Sequence, residues 1–427
     1  MPFPHARAWL TLAFASLAHA GTFTHSFNSV TPDTPSGALN TALVLPGGLL
    51  NGTAANATVN FFGSGTTSRI INLINGASSG LTLTAGTISV GSGASSHFAT
   101  INNNVASISG GALTLGANNS SAPGAMNVGT TFSMSGGLVT INTTNPGQLN
   151  LGFTSGSSNG TSGQFFITNS ATANISGGTI SADSLSFQSG VLTESGGTIS
   201  LSSTGTAVSI ANSQTVTLSG SANLLAASGT LGFGGTSAII KGAGTVSVGT
   251  YTGGGTIHAS GGKLDIVKSV GTGVVLNIGT AAGSILEIDG SSEASGNNVV
   301  FNATTAGVLE FGSTTAALGI TDSIQNMGTG SSGSSVSGIN FINIQGLTNI
   351  GSVVVRGLGT NIFDGSHNVI DVIKSNATVG SFTLSANPTN GLFAYWGDDS
   401  SVNGNALTGA DIWISSVVCF AEGTAIL

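Results

Sequence analysis

The sequence predicts an all-β fold, a parallel β-solenoid (β-helix) built from coils of ~20 residues and finished by a C-terminal capping region. Three observations carry this expectation. A short unit, a small-residue turn followed by apolar residues in alternation, recurs along much of the chain. Sixty-seven glycines stand against eight prolines, so turns are frequent while breaks in backbone hydrogen bonding are rare. Finally, 40% of the residues are hydrophobic and only 5% are charged, against roughly 25% charged in an ordinary globular protein. Such a chain has the apolar material for a long core and does not have the composition of a solvated coil.

Residues 1–20 read as a secretory signal peptide. Arg7 supplies the positive end, Trp9 to Ala18 the apolar stretch, and Ala18-His19-Ala20 a small-x-small cleavage site before Gly21. The apolar stretch is well short of the ~20 residues that cross a bilayer. No later segment is longer and comparably apolar, so no transmembrane segment is expected in the mature chain. Secretion or cell-surface location after cleavage near Ala20-Gly21 follows as the expectation.

Residues 21–290 carry the repeats. A loose copy has Leu81, Leu83, Ile88 and Val90 alternating with Thr and Ser; sharper copies begin at Gly110-Gly111, Gly136-Gly137, Gly177-Gly178, Gly196-Gly197, Gly234-Gly235 and Gly254-Gly255. Gly177 and Gly196 stand 19 residues apart, Gly196 and Gly234 twice that, and Gly234 and Gly254 20 apart, whereas the earlier intervals of 26 and 41 are looser. Strands of period two rich in Thr, Val and Ile alternate with glycine corners that tolerate positive φ. One such unit cannot bury its own apolar side, so stacking is required. Collagen is excluded because no G-X-Y period exists. No sustained 3.6-residue pattern predicts a helix. An array of β-sandwich domains is the alternative if the spacing is fortuitous. The segment 23–46 is read as an N-terminal cap.

From about residue 290 the double glycines fade and longer strands are expected at 308–311, 339–344, 352–356 and 368–373. Residues 291–418 are therefore read as terminal coils and cap. Tyr395, Trp396 and Trp413 fall here, as aromatics closing a core or, alternatively, as a platform for stacking a ligand.

Net charge is −8, one unit more negative once Arg7 is removed. Sparse negative charge argues against nucleic acid, which demands a dense cationic face, and against an anionic membrane surface. One cysteine excludes an intrachain disulfide framework. Carbohydrate-active β-helix enzymes need clustered acids and bases, and here Arg69, Lys241, Lys263, Lys268, Arg356 and Lys374 are scattered. Lys263 and Asp265 share one strand face by period two, with Lys268 off phase, and read as a solvated face. Glu287 and Asp289 form a second pair two residues apart. Asp398-Asp399 reads as turn chemistry. His25, His97, His258 and His367 lack metal-ligand spacing, so neither a cofactor nor a metal is expected.

The last nine residues, Cys419-Phe420-Ala421-Glu422-Gly423-Thr424-Ala425-Ile426-Leu427, hold the single cysteine. The pattern C-F-x-x-G-T-x-I resembles the opening of a Hint (hedgehog/intein) self-processing domain. The resemblance implies that Cys419 is a nucleophile whose thiol attacks the carbonyl of Val418, giving a thioester; sulfur both attacks and leaves well. It also implies that Gly423-Thr424 turns into a strand holding Ile426, and that 412–418 lead into the site as an extended strand. No role is carried to Glu422. A complete domain of this family needs a further hundred or more residues with a Thr-x-x-His element, so 419–427 read as its truncated start, unable to cleave by itself. The expected function is a secreted or cell-surface structural, adhesin-like passenger touching a surface or glycan, self-processing at Val418-Cys419 when the Hint module is complete. The alternative is a β-helix carbohydrate-active enzyme or glycan-binding protein.

Overall fold

The computed structural model describes residues within 41–415 apart from connecting segments, the longest of which are 74–79, 93–98, 117–123, 154–162, 290–297, 328–339, 385–392 and 399–408. The expected signal peptide, most of the expected N-terminal cap, and residues 416–427 with Val418 and Cys419 lie outside the described residues. The fold is all-β, with most of the described residues in strands and none in a helix, and is a parallel β-solenoid with coils of roughly 23 residues. The chain divides into two compact units, Met1–Ser203 and Thr204–Leu427.

In the first unit a full coil supplies three strands, one to each face, and each strand pairs in parallel with its equivalent one coil on. Face A runs through Thr41–Val44, Arg69–Leu73, residues 99–103 and 124–128, then Gly147–Leu151, Gln164–Ile167 and Ser184–Phe187. Face B runs through Leu49–Gly52, Gly80–Leu83, residues 105–108, 131–134 and 172–175, and Val191–Glu194. Face C runs through Thr58–Gly63, Thr87–Ser92, Ala112–Leu115, residues 138–141 and 179–182, and Thr198–Leu201. Each coil goes once round before pairing, which meets the need of parallel strands for a long crossover.

Period two then divides the side chains. Ile88, Leu113, Val139, Ile180 and Ile199 stack in register along the inside of face C, none more than 2% exposed. Burying each such side chain contributes about 1.5–3 kcal/mol. Bulk is matched between rungs on face B, where Phe132 lies in register between Ala106 and Ala173. Its ring meets Phe165 edge-on, with centroids 6.2 Å apart. Phe132→Ala should therefore lower the stability of this unit by about 3–5 kcal/mol, since alanines above and below cannot fill the void. Urea unfolding measures it, and a loss under about 1 kcal/mol would contradict this packing.

The loose interval of 41 residues has a structural cause. Residues 138–140 pair directly with 179–181 on face C, while face A uses the intervening chain for two rungs, Gly147–Leu151 and Gln164–Ile167. Face A thus gains a rung that the other two faces lack.

The double glycines of this unit work as expected. The second glycine of each pair, Gly111, Gly137, Gly178 and Gly197, holds φ between 74° and 94°. A Cβ on Gly178 would also fall 2.7 Å from the backbone of Gly136 and Gly137 in the rung it stacks on. The second unit departs from this pattern. None of Gly234, Gly235, Gly254 and Gly255 adopts positive φ; Gly253 does, at 92°. These pairs turn with a different backbone, so their even spacing does not continue the corner of the first unit.

In the second unit, face D holds Thr206–Ile210 and residues 230–233 and 250–252. Face E holds Thr215–Leu218, residues 239–242 and 256–259, Val275–Ile278, Asn298–Phe301 and residues 323–325. Face F holds residues 223–226, 245–248 and 263–267, then Ile285–Asp289, Val308–Phe311 and Phe341–Gln345. Parallel stacking on face F thus extends past residue 290 as far as Gln345, and Leu318–Gln325 pairs in parallel with Ala377–Leu384. The other pairings beyond Gln345 are antiparallel: Gly409–Ser415 lies against Phe341–Gln345 and against Phe393–Asp398, and Ser352–Val355, Val369–Lys374 and Ala377–Leu384 form a meander. An antiparallel cover satisfies edge groups that another parallel coil would otherwise have to meet.

Candidate functional site

Charge gathers in one place on the second unit, the outward side of face F. Lys263 and Asp265 lie two residues apart on one strand and so point the same way. Register places Asp265 beside Glu287, Glu287 beside Glu310, Glu310 beside Asn343, and Asn343 beside Asp411 of the antiparallel strand. Rungs about 4.8 Å apart make this row a ladder.

Lys263 and Asp265 share one side of the strand as expected, but a solvated face does not describe the cluster, because the lysine's ion partners are Glu287 and Glu310. Lys263 Nζ lies 2.5 Å from Glu287 Oε2 and 3.3 Å from Glu310 Oε2, with side-chain exposures of 40%, 8% and 0% for the lysine and the two glutamates. Gln345 Nε2 donates to Glu310 Oε1 at 2.9 Å. Among the described residues Glu310 Oε2 receives no aligned hydrogen bond, and the Lys263 ammonium stands beside it. Asn343 Nδ2 donates to Asp411 Oδ1 at 2.8 Å, both residues being fully buried, and Thr245 Oγ1 reaches Asp265 Oδ2 at 3.5 Å.

The electrostatics follow from burial and sign. Burial pushes the Glu287 carboxyl above the usual range; Lys263 works against this, while the like charges of Asp265 and Glu310 add to it. Burial alone would lower the Lys263 ammonium, but its bonds to Glu287 and Glu310 outweigh that and hold it above its ordinary value. The result is a carboxyl held above its ordinary range beside an ammonium held above its own. Lys263 is the most exposed member, Thr245, Asp265 and Gln345 are part-exposed, and Glu310, Asn343 and Asp411 are buried.

Glu310 and Asp411 are absent from the sequence reading of this cluster because both come from strands far along the chain. The available signal was the repetition of an acid at one phase of three successive strands: Asp265, Glu287 and Glu310 each follow an inward residue, Leu264, Leu286 and Leu309. Asp289 shares the strand of Glu287, but its side chain, with Lys268 and Asp399, lies outside the described residues.

A second ionic group belongs to the antiparallel meander. Arg356 grips Asp371 with Nη2 at 2.8 Å and Nε at 3.2 Å, and Ser381 Oγ donates to the same carboxylate. Burial alone would raise the Asp371 carboxyl, but the Arg356 and Ser381 bonds together hold it below the usual range. A depressed acid stabilises above its unfolded pKa, and that stability is lost as pH falls through the folded value. Asp371→Asn should cost about 0.5–1 kcal/mol at neutral pH, the scale of an exposed bidentate pair. The difference from wild type should vanish well below pH ~4. Melting curves across pH check this; an equal deficit at every pH would contradict it.

Among the described residues, the others singled out in the sequence do not join this cluster. Lys241 and His258 are neighbours in register on face E, and burial, then Lys241, lowers the His258 imidazole. Tyr251 is wholly buried and donates to the Val246 carbonyl at 2.8 Å. Tyr395 and Trp413 stand opposite each other in an antiparallel pair, and their side chains lie outside the described residues. His25 and His97 lie there too, as do Cys419, expected as a nucleophile, and Val418, expected to supply the scissile carbonyl. Among the described residues no group of three or more His, Cys, Asp or Glu could hold a metal ion, and no helix is long and apolar enough to cross a membrane.

The fold places the chain among β-solenoid repeat proteins. No family model, curated protein or solved structure matches it.

Proposed function

We propose that this chain is a secreted or cell-surface passenger of structural, adhesin-like type, whose C-terminal residues open a Hint module that, when complete, cleaves at Val418-Cys419. The observation that carries the passenger reading is the chemistry of the outward strand positions. On faces B and C between residues 80 and 201 these positions hold Thr, Ser and Asn with a few small or apolar residues, and no charge. An uncharged hydroxyl surface on a continuous core supplies contact area without the acid–base groups that catalysis needs. The Hint part rests on the resemblance of 419–427. Exported protein should begin at Gly21 by N-terminal sequencing. A product carrying a complete Hint module should split before Cys419 on hydroxylamine treatment, and Cys419→Ala should abolish the split. Cytoplasmic retention of the unprocessed chain would sink the passenger reading; cleavage that survives Cys419→Ala would sink the Hint reading.

One observation favours a second reading, a carbohydrate-active β-helix. Lys263, Glu287 and Glu310 converge on face F, and an easily protonated Glu287 has the property of a general acid. Glycan depolymerisation by the wild type that disappears in Glu287→Gln, with the melting temperature kept, would establish it. The full burial of Glu310 and its neutralisation by Lys263 make structural support the better description.

A further inference from the structure

We propose that face C of the first unit binds an ordered lattice of water, the surface of ice. The inference goes beyond the passenger reading and stands on this face alone. Five successive rungs present two outward positions each: Thr87 and Ser89, Ala112 and Thr114, Leu138 and Thr140, Thr179 and Ser181, Thr198 and Ser200. One rank, Ser89-Thr114-Thr140-Ser181-Ser200, is hydroxyl throughout and stays in register from rung to rung. The other rank offers three threonines with Ala112 and Leu138, the leucine 42% exposed. All ten residues are at least partly accessible. Among the described residues, no hydrogen bond within the chain engages any of the eight hydroxyls.

The spacing selects the occupant. Rungs repeat at about 4.8 Å, and the two ranks stand about 6.6 Å apart, two residues along a parallel strand. A single exposed hydroxyl gains little by trading one water for another partner. A row of them gains only from a partner that meets every member at once, so that later contacts follow the first without a new ordering cost. That partner must repeat in two dimensions with the same periods, must donate and accept hydrogen bonds, and must be uncharged, because these ten positions carry no charge. Ice prism faces repeat their oxygens at comparable intervals in both directions. The threonine methyls, Ala112 and Leu138 add an apolar component that leaves ordered water in place rather than competing for it. A soluble glycan would want aromatic faces or bidentate amides and carboxylates, and the ten outward positions of these five rungs hold none.

The test uses the folded chain with a fluorescent label, held against a slowly growing ice surface, together with thermal-hysteresis measurement. Wild-type protein should be taken into the ice, while a labelled protein of similar size is excluded. Thr114→Tyr with Thr140→Tyr should lower the incorporated fraction at least tenfold, and Thr217→Tyr, on the second unit, should leave it unchanged. If the double variant does not reach the wild-type circular dichroism spectrum, Thr140→Lys alone replaces it, with the same expected loss. Exclusion of the wild type from ice, incorporation of the face C variants, or adsorption to crystalline polysaccharide without ice uptake would each overturn the proposal.

Discussion

Lys263→Met should lower the stability of the second unit by about 2–4 kcal/mol at neutral pH, below the upper range for breaking a buried ion pair because the lysine is itself 40% exposed. The methionine keeps most of the apolar stem and removes the charge. Glu310, fully buried, is then left with the Gln345 amide and no cation, and Glu287 with like-charged neighbours. The deficit should shrink as acid protonates the carboxyls, and Lys263→Met with Glu310→Gln should recover most of it, because an amide can be buried without a counter-ion. Hydrogen exchange of the strands Ile285–Asp289 and Val308–Phe311 localises the effect. A neutral-pH loss no greater than that of an ordinary surface pair would show that the ladder is solvated after all.

The sign with pH follows from the same groups. Glu287 titrates above its ordinary range, so its contribution is fully present below the unfolded carboxyl pKa and is lost as pH rises through the raised folded value. Lys263 is also raised, and its contribution persists until strongly alkaline pH. Wild type should therefore be more stable in mild acid than at neutral pH in this region, and Glu287→Gln should flatten that dependence. The Arg356–Asp371 group acts in the opposite sense and at lower pH, so the two are separable in one titration.

Gly242→Ala is expected to be at least as damaging, about 3 kcal/mol or more. The backbone there holds φ at 124°, and a Cβ would stand 1.8 Å from the Leu218 carbonyl oxygen in the rung it pairs with. Relief requires separating strands whose register is set on both sides, and strain and overpacking then add. Alanine at Gly261, which also has positive φ but nothing within 4 Å of the added atom, isolates the conformational cost alone and should be milder. Equal losses at the two sites would mean that close approach of the rungs contributes nothing.

The class of fold was legible in the sequence because its signal is local. Alternation places Ile180 and Ile199 inward and Thr179 and Thr198 outward without reference to anything distant, and the glycine pairs at 177–178 and 196–197 mark one corner twice. The register between rungs was not legible where the chain departs from one strand per face. The extra rung formed by Gly147–Leu151 and Gln164–Ile167 turns a 41-residue interval into a direct pairing, which no count of glycines could reveal. The double glycines at 234 and 254 matched the pattern in composition and spacing yet turn with a different backbone, because Gly-Gly permits positive φ without requiring it.

The charged ladder marks the same division. Sequence alone determined that Lys263 and Asp265 share a side, since a two-residue period needs only the strand itself; the common phase of Asp265, Glu287 and Glu310 takes on meaning only when their strands are stacked. Tertiary structure decided that these strands are successive rungs, that Lys263 serves two glutamates from later coils, and that Asp411 returns antiparallel against Asn343. Those facts depend on coil length and on where the chain folds back. Both are set by the summed packing of whole coils rather than by any short stretch of residues, so they become visible only when the rungs are stacked.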